Sequence, residues 1–69
     1  MASNKPELDN IMGALAAASY HVPAFKNAIS CRIDRLEDFV YEITAGYPSG
    51  TFEKVVVWFD IEEFKWKKR

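Results

Sequence analysis

The chain has 69 residues, is 49% hydrophobic and 14% aromatic, and carries a formal net charge of −1. This length predicts one domain with a modest core, and the composition excludes intrinsic disorder and the broadly basic surface of a duplex-DNA-binding protein. No segment has the roughly 20 consecutive apolar residues that a membrane-spanning helix needs. The polar N-terminal segment lacks the apolar centre of a signal peptide, so we expect a cytoplasmic protein with no membrane association.

The first predicted element is a helix over about residues 5–20. The residue before Pro23 avoids helical geometry, which ends this helix near Tyr20. Small residues around Gly13 form a surface that can approach a sheet or a second copy closely. The apolar residues lie three and four positions apart and form one stripe, which comprises Leu8, Ile11, Met12, Leu15 and Ala18.

Two interpretations compete for the segment that follows Pro23. The first is a second short helix over about 23–32, followed by a strand over about 37–47. The second is one long helix over 23–45 with Gly46 as its C-terminal cap. We favour the first interpretation because residues 39–44 are almost entirely β-branched or aromatic and alternate as a half-buried strand does.

The strongest local signal is the turn Tyr47-Pro48-Ser49-Gly50, which joins that strand to another over about 51–60. Proline fits the second position of a type I turn, and glycine fits the left-handed position that closes a hairpin. Tyr47 then faces Thr51, and counting outward gives one ribbon face that is almost continuously apolar. The predicted pairs are Ala45 with Glu53, Ile43 with Val55, Tyr41 with Val57, and Phe39 with Phe59.

Residues 61–69 contain neither glycine nor proline. They can extend the preceding strand, turn back through Asp60 into a short strand over 62–68, or end as a frayed helix. We therefore predict one α+β domain, in which two short N-terminal helices pack on a C-terminal antiparallel hairpin or three-stranded sheet. The predicted core comprises Leu8, Ile11, Met12, Leu15, Phe25, Ile29, Phe39, Tyr41, Ile43, Val55, Val57 and Phe59.

Residues that could carry chemistry are sparse. The one cysteine, Cys31, and the one histidine, His21, have no neighbouring ligands at zinc-site spacing, and no serine lies in a nucleophile motif. A solvated surface explains the carboxylates, and a domain of this size has little room for a substrate-burying pocket of about 300 Å³. We expect no enzymatic activity, no metal and no cofactor.

The leading functional hypothesis is a protein-binding module that self-associates and docks on or masks a partner, as an inhibitor or regulator. A small domain without a disulfide or a metal gains stability from a partner subunit, so we expect a homo-oligomer. The second face of the ribbon carries an apolar strip, and the acidic outer face of the hairpin, including Glu42, Glu53, Asp38 and Asp60, suits a basic partner. The candidate partner-binding residues are Val40, Glu42, Val56, Trp58, Phe64 and Trp66.

The alternative hypothesis is a nucleic-acid-binding regulator. Residues 31–60 carry an excess of negative charge, whereas residues 61–69 are net positive and include two aromatic side chains that could stack on single-stranded bases. Nucleic acid is the less favoured partner because a solubilising end explains the same basic residues. The candidate residues for this function are Lys65, Trp66, Lys67, Lys68 and Arg69.

Overall fold

The computed structural model of the protein describes the backbone of residues 5–69 and the side chains of residues 9–69. One helix precedes a four-stranded antiparallel sheet whose strands lie side by side in chain order, which confirms the α+β class. Within the described residues, no helix is long and apolar enough to cross a membrane. The elements are α1 (Lys5–His21), a 3-10 segment (Pro23–Asn27), β1 (Ser30–Glu37), β2 (Val40–Gly46), β3 (Phe52–Asp60) and β4 (Lys65–Lys68).

The predicted second helix is wrong, and so is the long helix that competed with it. Pro23–Asn27 forms only a short 3-10 segment. The N–H of Ile29 then donates to the carbonyl of Gly46 at 2.8 Å, and the chain continues as β1, which pairs with β2. The sheet therefore has four strands rather than two or three. The apolar residues of this segment fall at helical spacing, and because most of β1 is exposed it has no clear alternation to oppose that pattern.

The predicted hairpin register is confirmed. β2 pairs with β3 so that Ala45, Ile43 and Tyr41 lie opposite Glu53, Val55 and Val57, respectively. The N–H of Tyr47 donates to the carbonyl of Thr51 at 3.0 Å, and Gly50 has a φ of 89°, which is the expected left-handed conformation. Phe39 lies just before β2 with a φ of 63°, although its carbonyl accepts the N–H of Phe59 at 2.9 Å.

The chain turns back at Asp60, which is one of the three conformations predicted for the last segment. The Asp60 Oδ1 accepts the backbone N–H groups of Glu62 at 2.9 Å and Glu63 at 3.2 Å, and Phe64 has a φ of 57°. These hydrogen bonds replace the glycine or proline that usually marks a turn. β4 then pairs with β3, with Trp66 opposite Phe59.

The core lies between α1 and one face of the sheet. The helix meets the sheet largely through alanines, so its small-residue surface packs against the strands. The helix lies close to β4 at Gly13, because a Cβ atom there would lie 2.5 Å from the Trp66 Nε1. The fully packed cluster comprises Ala14, Ala18, Tyr41, Ile43, Val55 and Val57.

Three residues predicted for the core are exposed instead. Met12 is 60% exposed because Ala14 and Ala18, rather than Met12, lie at the centre of the helix–sheet contact. Ile29 and Phe39 lie in connections outside the strands, where Ile29 is 72% exposed and Phe39, whose ring centre lies 6.1 Å from that of Phe59, is 38% exposed. Leu8, which was also predicted for the core, has a side chain outside the described ones.

Candidate functional site

Alternation along the strands gives the sheet two different faces. Tyr41, Ile43 and Val57 point toward α1 and are fully buried, so the residues between them point away from the helix. We call this second surface the open face, because neither α1 nor the 3-10 segment packs on it. Its main members are Arg32, Asp34, Val40, Glu42, Thr44, Phe52, Lys54, Val56, Trp58, Asp60, Lys65 and Lys67.

An apolar strip crosses the centre of the open face. Val40 pairs with Trp58, and Glu42 pairs with Val56, so Val40, Val56 and Trp58 are neighbours on two adjacent strands. Val56 and Trp58 are half-buried, and Phe52, at the other end of β3, is 72% exposed. The structure therefore brings Val40, Glu42, Val56 and Trp58 together on one surface.

Lys67, on the neighbouring strand β4, contacts the ring of Trp58. Its Nζ lies 5.5 Å from the centre of the Trp58 ring, within the range of a cation–π contact. The same ammonium group pairs with Asp60 at 2.9 Å and with Glu63 at 2.8 Å. The Asp60 side chain is only 15% exposed, so this ion pair is better shielded than most surface pairs. Lys67 therefore contacts the Trp58 indole, and the ring stays partly exposed.

The ion pairs shift the pKa of each of their three members. The hydrogen bond from Lys67 is the main cause that lowers the pKa of Asp60 and the pKa of Glu63. Conversely, the hydrogen bonds to Glu63 and then Asp60 raise the pKa of Lys67. All three groups are therefore charged at neutral pH.

Two of the candidate partner-binding residues lie away from the apolar strip. Trp66 faces α1, with its ring centre 5.3 Å from that of Phe59 and 6.1 Å from that of Tyr41, so it completes the margin of the core. Phe64 lies in the turn between β3 and β4, where it is 80% exposed and packs edge-on against Phe59. Phe64 therefore marks one end of the sheet, and Trp66 lies on the opposite face from Trp58.

The carboxylates expected on one acidic outer face lie on different surfaces. Glu42 is on the open face beside Asp34. Glu53 lies on the helix-facing side of β3 and accepts a hydrogen bond from the Tyr47 hydroxyl at 2.8 Å. Partial burial, followed by this hydrogen bond, raises the pKa of Tyr47. Asp38 lies in the turn between β1 and β2, 3.9 Å from Arg35.

The basic residues near the C-terminus are also divided between two faces. Lys65 and Lys67 lie on the open face, where Lys65 Nζ is 3.4 Å from a Glu63 carboxylate oxygen and Lys67 is paired as described above. Lys68 lies with Trp66 on the helix-facing side of β4. The alternation of β4 therefore places Lys65 and Lys67 on the opposite face from the Trp66 ring, whereas the exposed Lys68 shares the face of that ring.

A groove of about 770 Å³ lies between the second half of α1 and β4. This volume exceeds the roughly 300 Å³ of a substrate-burying pocket. The groove is nevertheless open to solvent, so it would not enclose a ligand. Tyr20 on its rim is 81% exposed. No carboxylate accompanies His21 among the described residues that line it, and the described side chains of residues 9–69 contain no cluster of three metal-ligating groups. The groove offers a contact surface rather than an acid–base pair.

No family model, curated protein or solved structure matches the chain. Its function is therefore inferred from the open face and the sheet edges.

The support that Lys67 and its partner Asp60 give to Trp58 was missed at the level of the sequence. The contact of Lys67 with Trp58 depends on the position of the turn at Asp60, because that turn sets the pairing of Trp58 with Lys67 and of Asp60 with Lys65. The aspartate itself was the available signal, since aspartate side chains commonly cap tight turns.

Proposed function

We propose that this chain is a small, non-catalytic protein-binding module that acts by self-association and by docking its open face on a partner protein. The observation that carries the proposal is the strip of Val40, which is buried, and Val56 and Trp58, which are half-buried, on the face of the sheet opposite α1. A partly exposed indole combines a large apolar area with one N–H donor, which is typical of binding hot spots.

The charges around the strip favour a partner with a basic patch next to an apolar one. Asp34 and Glu42 lie side by side toward β1, where Asp34 pairs with Arg32 at 3.2 Å and Glu42 leaves a net negative charge. Toward β4, the lysine charge is already balanced by Asp60 and Glu63. Docking in this orientation would mask the basic patch, which is how a small domain without catalytic residues can act as an inhibitor or regulator.

The geometry gives less support to nucleic-acid binding. Lys65 and Lys67 pair with carboxylates, and the Trp66 indole packs against Gly13 in the helix–sheet contact. An aromatic side chain that is already packed cannot stack on a base without leaving the core margin.

The test is capture from the native lysate by the immobilised wild-type chain, Trp58→Ala and Tyr20→Ala, with and without nuclease. We expect Trp58→Ala to weaken partner binding by about 2 kcal/mol, or roughly thirtyfold in Kd, with the fold intact. Tyr20→Ala is the matched control, since it removes an exposed aromatic ring from the helix side. Tyr20→Ala should capture the same partner protein, in the same amount, as the wild-type chain.

Three results would contradict the proposal. Equal capture by all three forms would show that the open face is not the docking surface. Capture that nuclease abolishes would favour the nucleic-acid alternative. A loss of about 3–5 kcal/mol of folding stability in Trp58→Ala, measured by denaturant unfolding, would make Trp58 a core residue.

A further inference from the structure

β1 is an outer strand of the sheet and has no neighbouring strand on one side among residues 5–69. Unpaired outer strands invite pairing with another chain unless they are short or charged. β4, the other outer strand, is only four residues long and contains three lysines, so it is protected in both ways. β1 is eight residues long and mostly exposed, and its charges are mixed.

The hydrogen-bond pattern shows which backbone groups of β1 point outward. The N–H of Tyr47 bonds to Thr51 and the N–H of Phe59 bonds to Phe39, so the odd-numbered residues of the β2–β3 ladder bond to each other. The even-numbered residues of β2 therefore bond to β1, through the positions that face them. The N–H and C=O groups of Cys31 and Ile33 then point away from the sheet.

We propose that two copies of this chain pair antiparallel through β1, with the twofold axis at Ile33, to form one continuous sheet. In this arrangement Ile33 faces Ile33 of the second copy. Arg32 of each copy faces Asp34 of the other, which gives two symmetric pairs of opposite charge. Within one chain these two side chains already meet at 3.2 Å and remain accessible.

The charge pattern of β1 favours this register over registers that are shifted along the strand. A shift of one residue would turn the open face of one copy to the other side of the sheet. A shift of two residues keeps the two open faces on the same side of the sheet. It places Arg32 opposite Arg32, or Asp34 opposite Asp34, at the twofold axis. Like charges that lie directly opposite each other destabilise a strand pair. The exposed edge of β1 is therefore complementary to a second copy of this chain paired at Ile33.

Exposed apolar residues along the same edge support the pairing. Ile29 and Leu36 lie at the two ends of β1 and are 72% and 48% exposed, respectively. In the proposed register Leu36 faces Ser30 of the second copy, so the exposed surface of Leu36 becomes partly covered. The inference rests on the self-association part of the proposed function and leaves each open face free to dock.

The test is a charge exchange across the twofold axis, followed by sedimentation over a range of protein concentrations at physiological ionic strength. R32E leaves only carboxylates at the two facing positions, and D34R leaves only guanidinium groups. Each variant alone should raise the dimer Kd by about tenfold or more. An equimolar mixture of the two should form a heterodimer, and the R32E/D34R double variant should regain wild-type association. K54E is the matched control, because it makes the same charge change on the open face of β3.

A wild-type chain that stays monomeric up to roughly millimolar concentration would overturn the inference. So would a mixture of R32E and D34R that does not associate, or a K54E variant that dissociates as strongly as R32E. Spin labels on Cys31 add a geometric check, since the two Cα atoms lie about 14 Å apart in the proposed register. A direct Cys31–Cys31 disulfide would require another register. If pairing failed while capture still depended on Trp58, the docking function would stand without this dimer.

Discussion

Gly13 shows how a single residue couples the helix to the last strand. The Trp66 indole occupies the space where a side chain would be, and its Nε1 and Cε2 would lie 2.5 and 3.0 Å from an added Cβ atom. In an isolated helix, glycine at this position costs about 0.8–1 kcal/mol relative to alanine. In the folded chain, the same residue permits the close packing of α1 on β4.

We expect Gly13→Ala to lower the free energy of unfolding by about 1 kcal/mol. Overpacking costs about 1–3 kcal/mol, which exceeds the gain of about 1 kcal/mol in helix propensity. Denaturant unfolding measures the difference. In a Trp66→Phe background the smaller ring should reduce the loss, and an equal loss in both backgrounds would contradict the contact.

Gly50 is required for backbone geometry rather than for space. No atom lies within 4 Å of a Cβ placed there, but its φ of 89° is strained for a β-branched residue. Gly50→Val should therefore destabilise the fold by about 1 kcal/mol or more. Gly50→Asn should cost less, because asparagine tolerates left-handed conformations. Equal melting temperatures for the valine variant and the wild type would count against this turn.

At the scale of elements, prediction succeeded where a turn defines the geometry and failed where only periodicity was available. The turn over 47–50 determines the register of β2 with β3 and places Trp58 beside Val40. β1 was missed because an exposed outer strand needs no apolar alternation, and its segment carries isoleucines at helical spacing. The contact between Lys67 and Trp58 was missed because the turn at Asp60 was only one of three options.

The ion pairs of Lys67 should make stability depend on pH. The pKa of Asp60 and the pKa of Glu63 lie below their ordinary values of 3.8 and 4.5 in the folded chain, so the unfolded chain binds more protons in acid. Their stabilisation is therefore present above about pH 5 and is lost as the pH falls through the folded-state values. The raised pKa of Lys67 acts in the opposite direction, and its contribution is lost as the pH rises beyond 10.5.

We expect the urea midpoint to fall between about pH 5 and pH 3, and Lys67→Ala to reduce that slope. Glu62→Gln is the control, since Glu62 enters this turn through its backbone N–H. It should keep the wild-type slope. An unchanged slope in Lys67→Ala would show that other carboxylates cause the acid dependence.

At the scale of the whole molecule, one face of the sheet is filled and the other is open. A chain of this size buries only about 60% of the surface that its unfolded form exposes, so the proposed pairing through β1 would add to its stability. We expect the thermal midpoint of the wild-type chain to rise with protein concentration, because association stabilises the folded form by mass action. The midpoint of R32E should change less over the same range. A midpoint that is independent of concentration in the wild type would contradict self-association.

The contact between Gly13 and Trp66 also determines when the chain can finish folding. During synthesis at about 5–20 residues per second, Gly13 leaves the ribosome roughly three to ten seconds before Trp66 of β4, the last of the strands that pack against α1. The hairpin of β2 and β3 can form earlier, since its contacts are local. The alanine surface of the nascent helix can therefore pack on β2 and β3 first, and the margin of the core closes last, when Trp66 reaches Gly13.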